Sequence, residues 1–221
     1  MDEEPKGTAA FWAERWQAGQ TAFHQGKPNP LLVEHHHHLA GHRRVYVPLC
    51  GKAVDLVWLR DHGHDVTGSE LVPLAVRQLF EEQRLVPTTT TRGAFRLHIT
   101  PRLAVLEGDA LQVDVDVVGA VDAVYDRAAL VALDPPVREA YVDSLLRVLR
   151  PGGLILLITF DYDQRKLEGP PWSVDVDQVT RLFGAACVIE QLGARPEAPG
   201  PRFVEAGVDV VTERVFLLRR R

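Results

Sequence analysis

Apolar positions along this chain fall into short runs that suit strands, separated by longer segments in which they recur at helical spacing. The strand-like runs lie at Arg44 to Val47, Asp65 to Gly68, Leu103 to Leu106, Ala123 to Tyr125 and Leu154 to Phe160. The helical segments lie between them, at Val54 to Arg60, Leu74 to Leu85 and Pro136 to Leu149. Strands that are apolar on consecutive positions are buried on both faces, like parallel strands covered by helices. The pattern therefore predicts an α/β fold built on one doubly wound, mostly parallel sheet.

The N-terminal segment lies outside this alternation. Thr8 is placed to cap a helix that continues to Ala18, and a second helix is expected from Pro30 to Ala40. We predict that residues 1–42 form a helical cover on a sheet core made by residues 43–221, all within a single domain.

The C-terminal segment adds the last predicted elements. Val176 to Phe183 has helical spacing, while Cys187 to Leu192 and Val208 to Leu218 are rich in β-branched residues and flank the Pro-rich turn Arg195 to Pro201. These segments predict one helix and two antiparallel closing strands, which brings the expected sheet to seven strands. The segment Thr88 to Gly93 is expected to be a flexible turn that borders the substrate mouth.

Composition and charge narrow the range of partners. The chain has 221 residues and is 46% hydrophobic, which supports a full core, and its net charge of −5 gives no basic field for nucleic acid. Cys50 and Cys187 are the two cysteines, so no disulfide framework is predicted and a reducing cytosol is indicated. Met1 to Gly7 lacks the pattern of a signal peptide, and no 18-residue apolar run occurs. We expect a monomeric cytoplasmic protein that acts on a small molecule, without nucleic-acid or membrane partners.

Candidate chemistry follows the predicted strands, because ligands of open α/β sheets bind beyond the carboxyl ends of the strands. The first strand ends in a turn that contains Gly51, and Glu70 ends the second strand 19 residues later. An acid at that position is placed to accept the two hydroxyls of a ribose, although a solvated carboxylate or helix cap is an equally good reading of position alone. Asp109 and Ala110 follow the third strand, and Arg127 ends the fourth.

The turn at Gly51 lacks the G-x-G-x-x-G spacing that a dinucleotide pyrophosphate requires. A cofactor with a ribose and an adenine but no phosphate fits better, which favours S-adenosylmethionine over nicotinamide. The antiparallel closing strands agree with the methyltransferase variant of this fold.

Five motifs then resemble those of the thiopurine S-methyltransferases, in the same order and over nearly the whole chain. They are Trp12-x-x-x-Trp16, Thr21-Ala22-Phe23-His24-Gln25, Pro48-Leu49-Cys50-Gly51-Lys52, Tyr125-Asp126-Arg127-Ala128-Ala129-Leu130-Val131-Ala132 and Gly169-Pro170-Pro171. The resemblance implies a class I fold that uses S-adenosylmethionine to methylate sulfur or, in some bacterial members, selenium or tellurium species.

The resemblance also implies roles for individual residues. Cofactor positions are matched by Trp12, Trp16, Phe23, Leu49, Gly51, Glu70, Asp109, Ala110 and Arg127. Substrate positions are matched by Phe23, Arg127 and Arg202, and Arg127 is the candidate catalytic residue.

The same residues can be weighed on their own chemistry. Aromatic residues one turn apart, such as Trp12 and Trp16, more often pack in a core, yet an aromatic face also attracts a sulfonium cation by about 0.5 to 2 kcal/mol. Arg127 could pair with Asp126 or another acid, or its guanidinium could favour the thiolate form of an acceptor. His24 could accept a proton or simply bond to backbone. The run His35 to His38 invites a metal, but adjacent helical side chains diverge, so a solvated face is the better interpretation.

The function predicted on these grounds is direct displacement, in which an acceptor thiolate attacks the methyl group of S-adenosylmethionine without a covalent enzyme intermediate. Cys50 is a poor nucleophile candidate because its neighbours are apolar. Three alternatives stay open. The same fold could methylate selenium species, tellurium species or a halide. The protein could also be a nicotinamide-dependent oxidoreductase, or a module that binds S-adenosylmethionine without turnover.

Overall fold

A computed structural model describes residues 7–21 and 23–221 of the chain. Met1 to Lys6, which were interpreted as lacking a signal peptide, and Ala22, which belongs to one of the motifs, lie outside the described residues.

One sheet runs through the chain, and its strands have the spatial order β3-β4-β5-β2-β1-β6-β7-β9-β8. The strands are β1 (Arg44–Val47), β2 (Asp65–Glu70), β3 (Thr88–Arg92), β4 (Phe95–Thr100), β5 (Leu103–Glu107), β6 (Val121–Arg127), β7 (Leu149–Asp161), β8 (Cys187–Glu197) and β9 (Val211–Arg220). The central strands β5, β2, β1, β6 and β7 are parallel, while β9 and β8 close one side in antiparallel fashion. The predicted doubly wound sheet with antiparallel closing strands is confirmed.

The expectation of seven strands is wrong, because the described sheet has nine. The two additional strands, β3 and β4, form a hairpin that pairs antiparallel with β5 at the sheet edge. The segment Thr88 to Gly93, expected as a turn at the substrate mouth, is therefore largely a strand. Its four threonines are all exposed, as suits an edge strand, and their β-branched side chains favour extended backbone.

Helices cover both faces of the sheet. They are α1 (Ala9–Gln17), α2 (Pro30–His35), α3 (Asp55–Asp61), α4 (Pro73–Glu82), α5 (Val115–Val118), α6 (Arg138–Val148), α7 (Val176–Phe183) and α8 (Pro201–Glu205). One buried cluster lies between the sheet and α5 to α7, and another lies between the sheet and α2 to α4. The strand residues alternate between these clusters, so the central strands are buried on both faces as predicted.

The N-terminal helices begin where their caps predict. The Thr8 side chain accepts a hydrogen bond from the Phe11 amide, and α1 ends at Gln17. Asn29 caps α2, which changes to a 3₁₀ turn over His36–Leu39 before Gly41. The Pro-rich turn predicted at Arg195 to Pro201 is shorter than expected, since β8 continues to Glu197 and α8 begins at Pro201.

None of the described helices combines the length and the apolar character needed to cross a membrane. In the same part of the chain, no three His, Cys, Asp or Glu side chains are grouped so that they could hold a metal ion.

Candidate active site

Four predicted site positions meet at the carboxyl edge of the parallel strands. The turn after β1 carries Gly51, Glu70 ends β2, Asp109 follows β5 and Arg127 ends β6. These strands are neighbours in the order β5-β2-β1-β6, so their ends lie side by side. The order of the chain reverses at β1, which is where open α/β sheets form their binding crevice.

The turn after β1 is tightly bent and closely packed. Leu49 and Gly51 both have positive φ, at 45° and 52°, and the Cys50 amide donates to the Ser69 carbonyl at 2.9 Å. A Cβ added at Gly51 would lie 3.2 Å from Cζ2 of Trp16. Glycine is needed at this position both for the backbone conformation and for the approach of the indole.

The carboxylate of Glu70 is buried at this turn, with 7% of the residue exposed. Its Oε2 accepts from the Gly51 amide at 2.8 Å and its Oε1 accepts from the Val72 amide at 2.7 Å. Burial raises the pKa of Glu70, while the amides of Val72 and Gly51 act in the opposite direction. Each carboxylate oxygen can accept more than one hydrogen bond, so both retain capacity for a ligand hydroxyl.

Asp109 and Ala110 form the next part of the edge. The Asp109 side chain accepts from the Leu111 amide at 2.9 Å and caps a short 3₁₀ turn, and Ala110 is buried. The turn that was predicted to border the adenine is therefore a capped turn with a small buried residue.

The aromatic residues of the N-terminal cover form one connected group. Phe23 makes edge contacts with both Trp12 and Trp16, at ring-centroid distances of 5.7 and 5.8 Å. Trp16 is buried against Val72 and α4, whereas Phe23 is 36% exposed. Trp16 therefore packs in a buried cluster and also lies at the crevice, because its indole is next to Gly51.

Arg127 connects the sheet to this aromatic group. Its Nη1 donates to the Phe23 carbonyl at 2.9 Å, and its Nε is buried without a hydrogen-bond partner among the described residues. The ion pair with Asp126 that sequence reasoning offered as an alternative does not occur, because Asp126 points to the other face of β6, where Tyr141 donates to it at 2.7 Å. Arg127 is followed by Ala128 with φ 62°, which turns the chain away from the strand.

A buried carboxylate on the same face of β6 as Arg127, that of Asp55, was not anticipated from sequence. It accepts from the Asn29 amide at 2.7 Å and from the Tyr125 hydroxyl at 3.1 Å. Burial raises the pKa of Asp55, and the positive charge of Arg127 is among the influences that lower it. Asp55 thus ties the start of α2, within the N-terminal cover, to β6. An acid within the first turn of an apolar helix was the available signal.

The segment Gly169-Pro170-Pro171 is held by Arg202, whose expected role at the substrate stays a prediction. Arg202 donates to the Pro170 carbonyl at 2.5 Å and to the Glu168 carbonyl at 2.8 Å. The next residue, Trp172, donates its amide to the Val131 carbonyl at 2.7 Å, which joins this segment to the loop after Arg127.

The histidines singled out from sequence lie in two places. His24 follows Phe23, and burial, with the charges of Lys52 and Arg127, lowers its pKa, so it lies in the electrostatic surroundings of the crevice. The His35 to His38 run lies elsewhere, and His36 packs against Trp58 and against His64 from the segment before β2.

The edge of the sheet fits S-adenosylmethionine on its own chemistry. The buried carboxylate of Glu70 suits a ribose diol, and the aromatic faces of Trp12, Trp16 and Phe23 suit a sulfonium. Gly51 itself has no side chain, and its backbone lies against Trp16 of the cover and donates to Glu70.

The chain is similar to known proteins over nearly its whole length. The sequence profile of the family described as "Thiopurine S-methyltransferase (TPMT)" matches residues 7–221. A thiopurine S-methyltransferase of Pseudomonas fluorescens (strain SBW25) is 44% identical over 221 residues, covering 99% of this chain and 100% of the relative. One from Methylococcus capsulatus is 42% identical over 213 residues, covering 95% and 96%.

Solved structures show the same fold at low identity. A Burkholderia thailandensis 1,6-didemethyltoxoflavin-N1-methyltransferase, with bound 1,6-didemethyltoxoflavin and S-adenosylhomocysteine, has a TM-score of 0.65 at 17% identity and covers 96% of this chain and 86% of that one. The N-methyltransferase NodS from Bradyrhizobium japonicum, in complex with S-adenosylhomocysteine, has a TM-score of 0.61 at 13% identity and covers 94% and 97%. The chain belongs to the thiopurine S-methyltransferase family and is an S-adenosylmethionine-dependent S-methyltransferase.

Proposed function

We propose that this enzyme methylates the sulfur of a small thiol or thiopurine-like acceptor by direct displacement, with Arg127 facing the acceptor. The observation that carries this proposal is the state of the Arg127 guanidinium, which ends a central strand, bonds to the Phe23 carbonyl and has a buried Nε without a partner among the described residues. A buried guanidinium nitrogen without an acceptor is costly, and an anionic ligand would remove that cost.

The proposed cofactor contacts follow from the same geometry. S-adenosylmethionine, when bound, supplies an electrophilic methyl group on a sulfonium and leaves as S-adenosylhomocysteine. Glu70 would accept hydrogen bonds from the ribose hydroxyls, the turn at Leu49 and Gly51 would give backbone access, and Asp109 with Ala110 would border the adenine. Trp12, Trp16 and Phe23 would cover the methionine part and exclude water.

Arg127 would act on the acceptor in two ways. Its positive charge favours the thiolate of a group whose usual pKa is about 8.5, and its planar fork of donors fixes the direction of approach. Alignment of two reacting groups can be worth up to about 7 to 11 kcal/mol. The thiol proton leaves to solvent before transfer, so no dedicated base is required. Cys50 does not compete as a nucleophile, since burial raises its pKa well above the usual value.

An acceptor panel with variants at Arg127 tests this proposal. We expect methyl transfer to a thiopurine and to thiophenol, measured by S-adenosylhomocysteine release and mass of the thioether. Arg127→Lys keeps the charge but loses the fork, so we expect a higher acceptor KM or a lower kcat with little change in S-adenosylhomocysteine affinity. Arg127→Ala should be worse in the same direction.

Arg77→Ala serves as the matched control, because Arg77 pairs with Glu81 on the exposed face of α4. A lower melting temperature of the Arg127 variants with unaltered kinetic constants would contradict the proposed role. If the enzyme methylates selenite, tellurite or a halide but no thiol, the proposed acceptor is wrong. If it binds S-adenosylmethionine but methylates nothing in the panel, it is a binding module.

The net charge of −5 and the two free, buried cysteines support a cytoplasmic enzyme without a nucleic-acid partner. We propose a monomer, which sedimentation would test.

A further inference from the structure

Arg138, the first residue of α6, is the one arginine among the described residues that is buried, with 3% of the residue exposed. Burial lowers the pKa of Arg138 to about 10, while the charge of Asp134 acts in the opposite direction, so the guanidinium is charged at neutral pH. Burying a charge costs free energy that an apolar side chain would not cost. The position therefore calls for a reason other than packing.

The guanidinium joins two segments that follow the neighbouring strands β6 and β7, namely the β6–α6 segment (residues 128–137) and the β7–α7 segment (residues 162–175). Its Nε donates to the Leu133 carbonyl of the β6–α6 segment at 3.1 Å. Its Nη1 donates to Oε1 of Gln178 on α7 at 2.6 Å and, more weakly, to the Ser173 carbonyl of the β7–α7 segment at 3.5 Å. A planar fork of donors reaches all of these neutral oxygens at fixed angles, which a lysine ammonium would not do.

Ser173 is itself bonded to other parts of the β7–α7 segment. Its amide donates to Oε1 of Gln164 at 2.6 Å, and its Oγ accepts from the Tyr162 amide at 3.1 Å. The Tyr162 hydroxyl donates in turn to the Pro171 carbonyl at 2.6 Å. These bonds connect the two ends of the segment, so the position of Arg138 affects the segment as a whole.

The two segments also meet close to Arg127. The β6–α6 segment begins directly after Arg127, and the Val131 carbonyl within it accepts from the Trp172 amide of the β7–α7 segment at 2.7 Å. Arg138 adds a link between the same two segments from the side of α6. The relative position of the segments beside Arg127 is thus fixed from two places.

We propose that Arg138 is a positioning residue for methyl transfer, which holds the β6–α6 and β7–α7 segments in the arrangement that binds the acceptor. This inference rests on the proposed acceptor side at Arg127. Arg138 acts through the two segments and not on the reacting atoms. When its link is lost, fewer molecules hold the competent arrangement, and the apparent affinity for the acceptor falls by that fraction. A saturating acceptor selects the competent arrangement, so kcat changes little.

Steady-state kinetics of Arg138→Met, Arg138→Lys and Gln178→Ala test this role. If the competent arrangement falls to about one molecule in ten, the KM for thiophenol rises about tenfold in Arg138→Met, with kcat and the affinity for S-adenosylhomocysteine nearly unchanged. Arg138→Lys keeps the charge and some donors, so its KM should rise less. Gln178→Ala removes one acceptor of the guanidinium at a partly exposed position and should also raise KM. If Arg138→Met does not fold, Gln178→Ala carries the same comparison.

Arg181→Gln is the matched control, because Arg181 lies on α7 and lines the same cavity as Arg138 but is exposed. Its KM should equal that of the native enzyme. A lower melting temperature with an unchanged KM in the Arg138 and Gln178 variants would show that Arg138 only stabilises the fold. A rise in KM with an equal loss of affinity for S-adenosylhomocysteine would show general damage to the crevice. Either outcome would overturn the proposal.

Hydrogen–deuterium exchange keeps the test independent of turnover. In the S-adenosylhomocysteine complex, Arg138→Met should exchange faster than the native enzyme in residues 128–137 and 162–175. It should exchange at the native rate in α3, which packs on the other face of the sheet. Native-like exchange in both segments would overturn the proposal. If no thiol is methylated, the proposed function fails, while exchange still decides whether Arg138 holds the two segments together.

Discussion

At the scale of single residues, Glu70 shows how a ligand-binding group can also hold its own loop. Its carboxylate accepts hydrogen bonds from the amides of Gly51 and Val72, which lie in the turns after β1 and β2. These bonds fix the carboxylate before any ligand arrives, so a ribose meets acceptors that are already oriented. Preorganisation of this kind reduces the entropy lost on binding.

Replacing Glu70 with Ala should therefore weaken cofactor binding and destabilise the loop together. Loss of the acceptors leaves polar groups unpaired at about 1 to 3 kcal/mol, which corresponds to about 5-fold to 150-fold weaker binding of S-adenosylhomocysteine by calorimetry. Glu107→Ala is the matched control, because Glu107 ends the neighbouring strand β5 but pairs with His98. Unchanged affinity in a folded Glu70→Ala variant would rule out the ribose assignment.

At the scale of elements, the N-terminal cover is attached to the sheet at a small number of defined points. Trp16 packs on Gly51 and α4. The Phe23 carbonyl accepts a hydrogen bond from Arg127, and Asp55 accepts one from the Asn29 amide. The helix α1 has 9 residues, too few for a stable isolated helix, so its order depends on these contacts. A ligand under the cover would add contacts that favour the closed arrangement.

We predict that cofactor binding changes the fluorescence of the indoles in this cover. The signal on addition of S-adenosylhomocysteine should be lost in a Trp12→Phe, Trp16→Phe double variant. Trp58→Phe should retain it, because Trp58 lies beside His36 and His62, away from the cover. Removal of residues 1–22 should reduce both affinity and turnover, and intact values in that truncation would assign the two tryptophans to packing alone.

At the scale of the whole molecule, the sheet was largely predictable because burial on both faces leaves a direct mark on sequence. Runs such as Leu154 to Ile158 have no polar position, and the predicted strands differ from the observed ones mainly at their ends. Strand β3 was missed because its four threonines are exposed and carry no alternating apolar signal, whereas β4, Phe95–Thr100, does alternate apolar and polar residues and was overlooked. Strand order was not predicted, since it depends on pairings between distant segments.

The residues of the candidate site also differ in how well the sequence predicts them. Gly51, Glu70 and Arg127 were predictable because strand ends and turns locate them along the chain. The environment of Asp55 was not, because it depends on residues brought together from separate elements, such as Tyr125 and Asn29. Local patterns carry no information on such contacts.

Two buried groups should make the stability of the whole molecule depend on pH in opposite directions below about pH 6.5. The first is His64, which is 4% exposed and has its Nδ1 2.7 Å from the His42 carbonyl, so this nitrogen must donate. Its Nε2 lies 2.8 Å from Nε2 of His36 and must then accept, which disfavours a second proton on the ring. Burial lowers the pKa of His64, and burial with the charge of His64 lowers that of His36. The second group is Asp126, whose pKa burial raises to about 6.

The signs follow from proton uptake in the folded and unfolded states. A histidine whose folded pKa lies below its unfolded value of about 6.5 takes up its proton first in the unfolded chain, so stability falls as the pH drops below about 6.5. The loss is up to about 1.4 kcal/mol per pH unit for each group. Asp126 takes up its proton first in the folded chain, so stability rises as the pH falls through about 6 towards the unfolded value of 3.8.

Melting temperatures measured from about pH 7.5 to pH 4.5 should resolve both parts. His64→Asn keeps a donor for the His42 carbonyl but cannot be protonated, so its melting temperature should fall less than that of the native protein between about pH 7 and pH 6. Asp126→Asn removes the opposing gain, so below about pH 6 its melting temperature should fall more steeply than that of the native protein. His37→Asn, at an exposed position of the same histidine run, should follow the native curve. Parallel curves for the native protein and His64→Asn would show that His64 does not contribute to the acid response. A native-like slope in Asp126→Asn below that pH would show the same for Asp126.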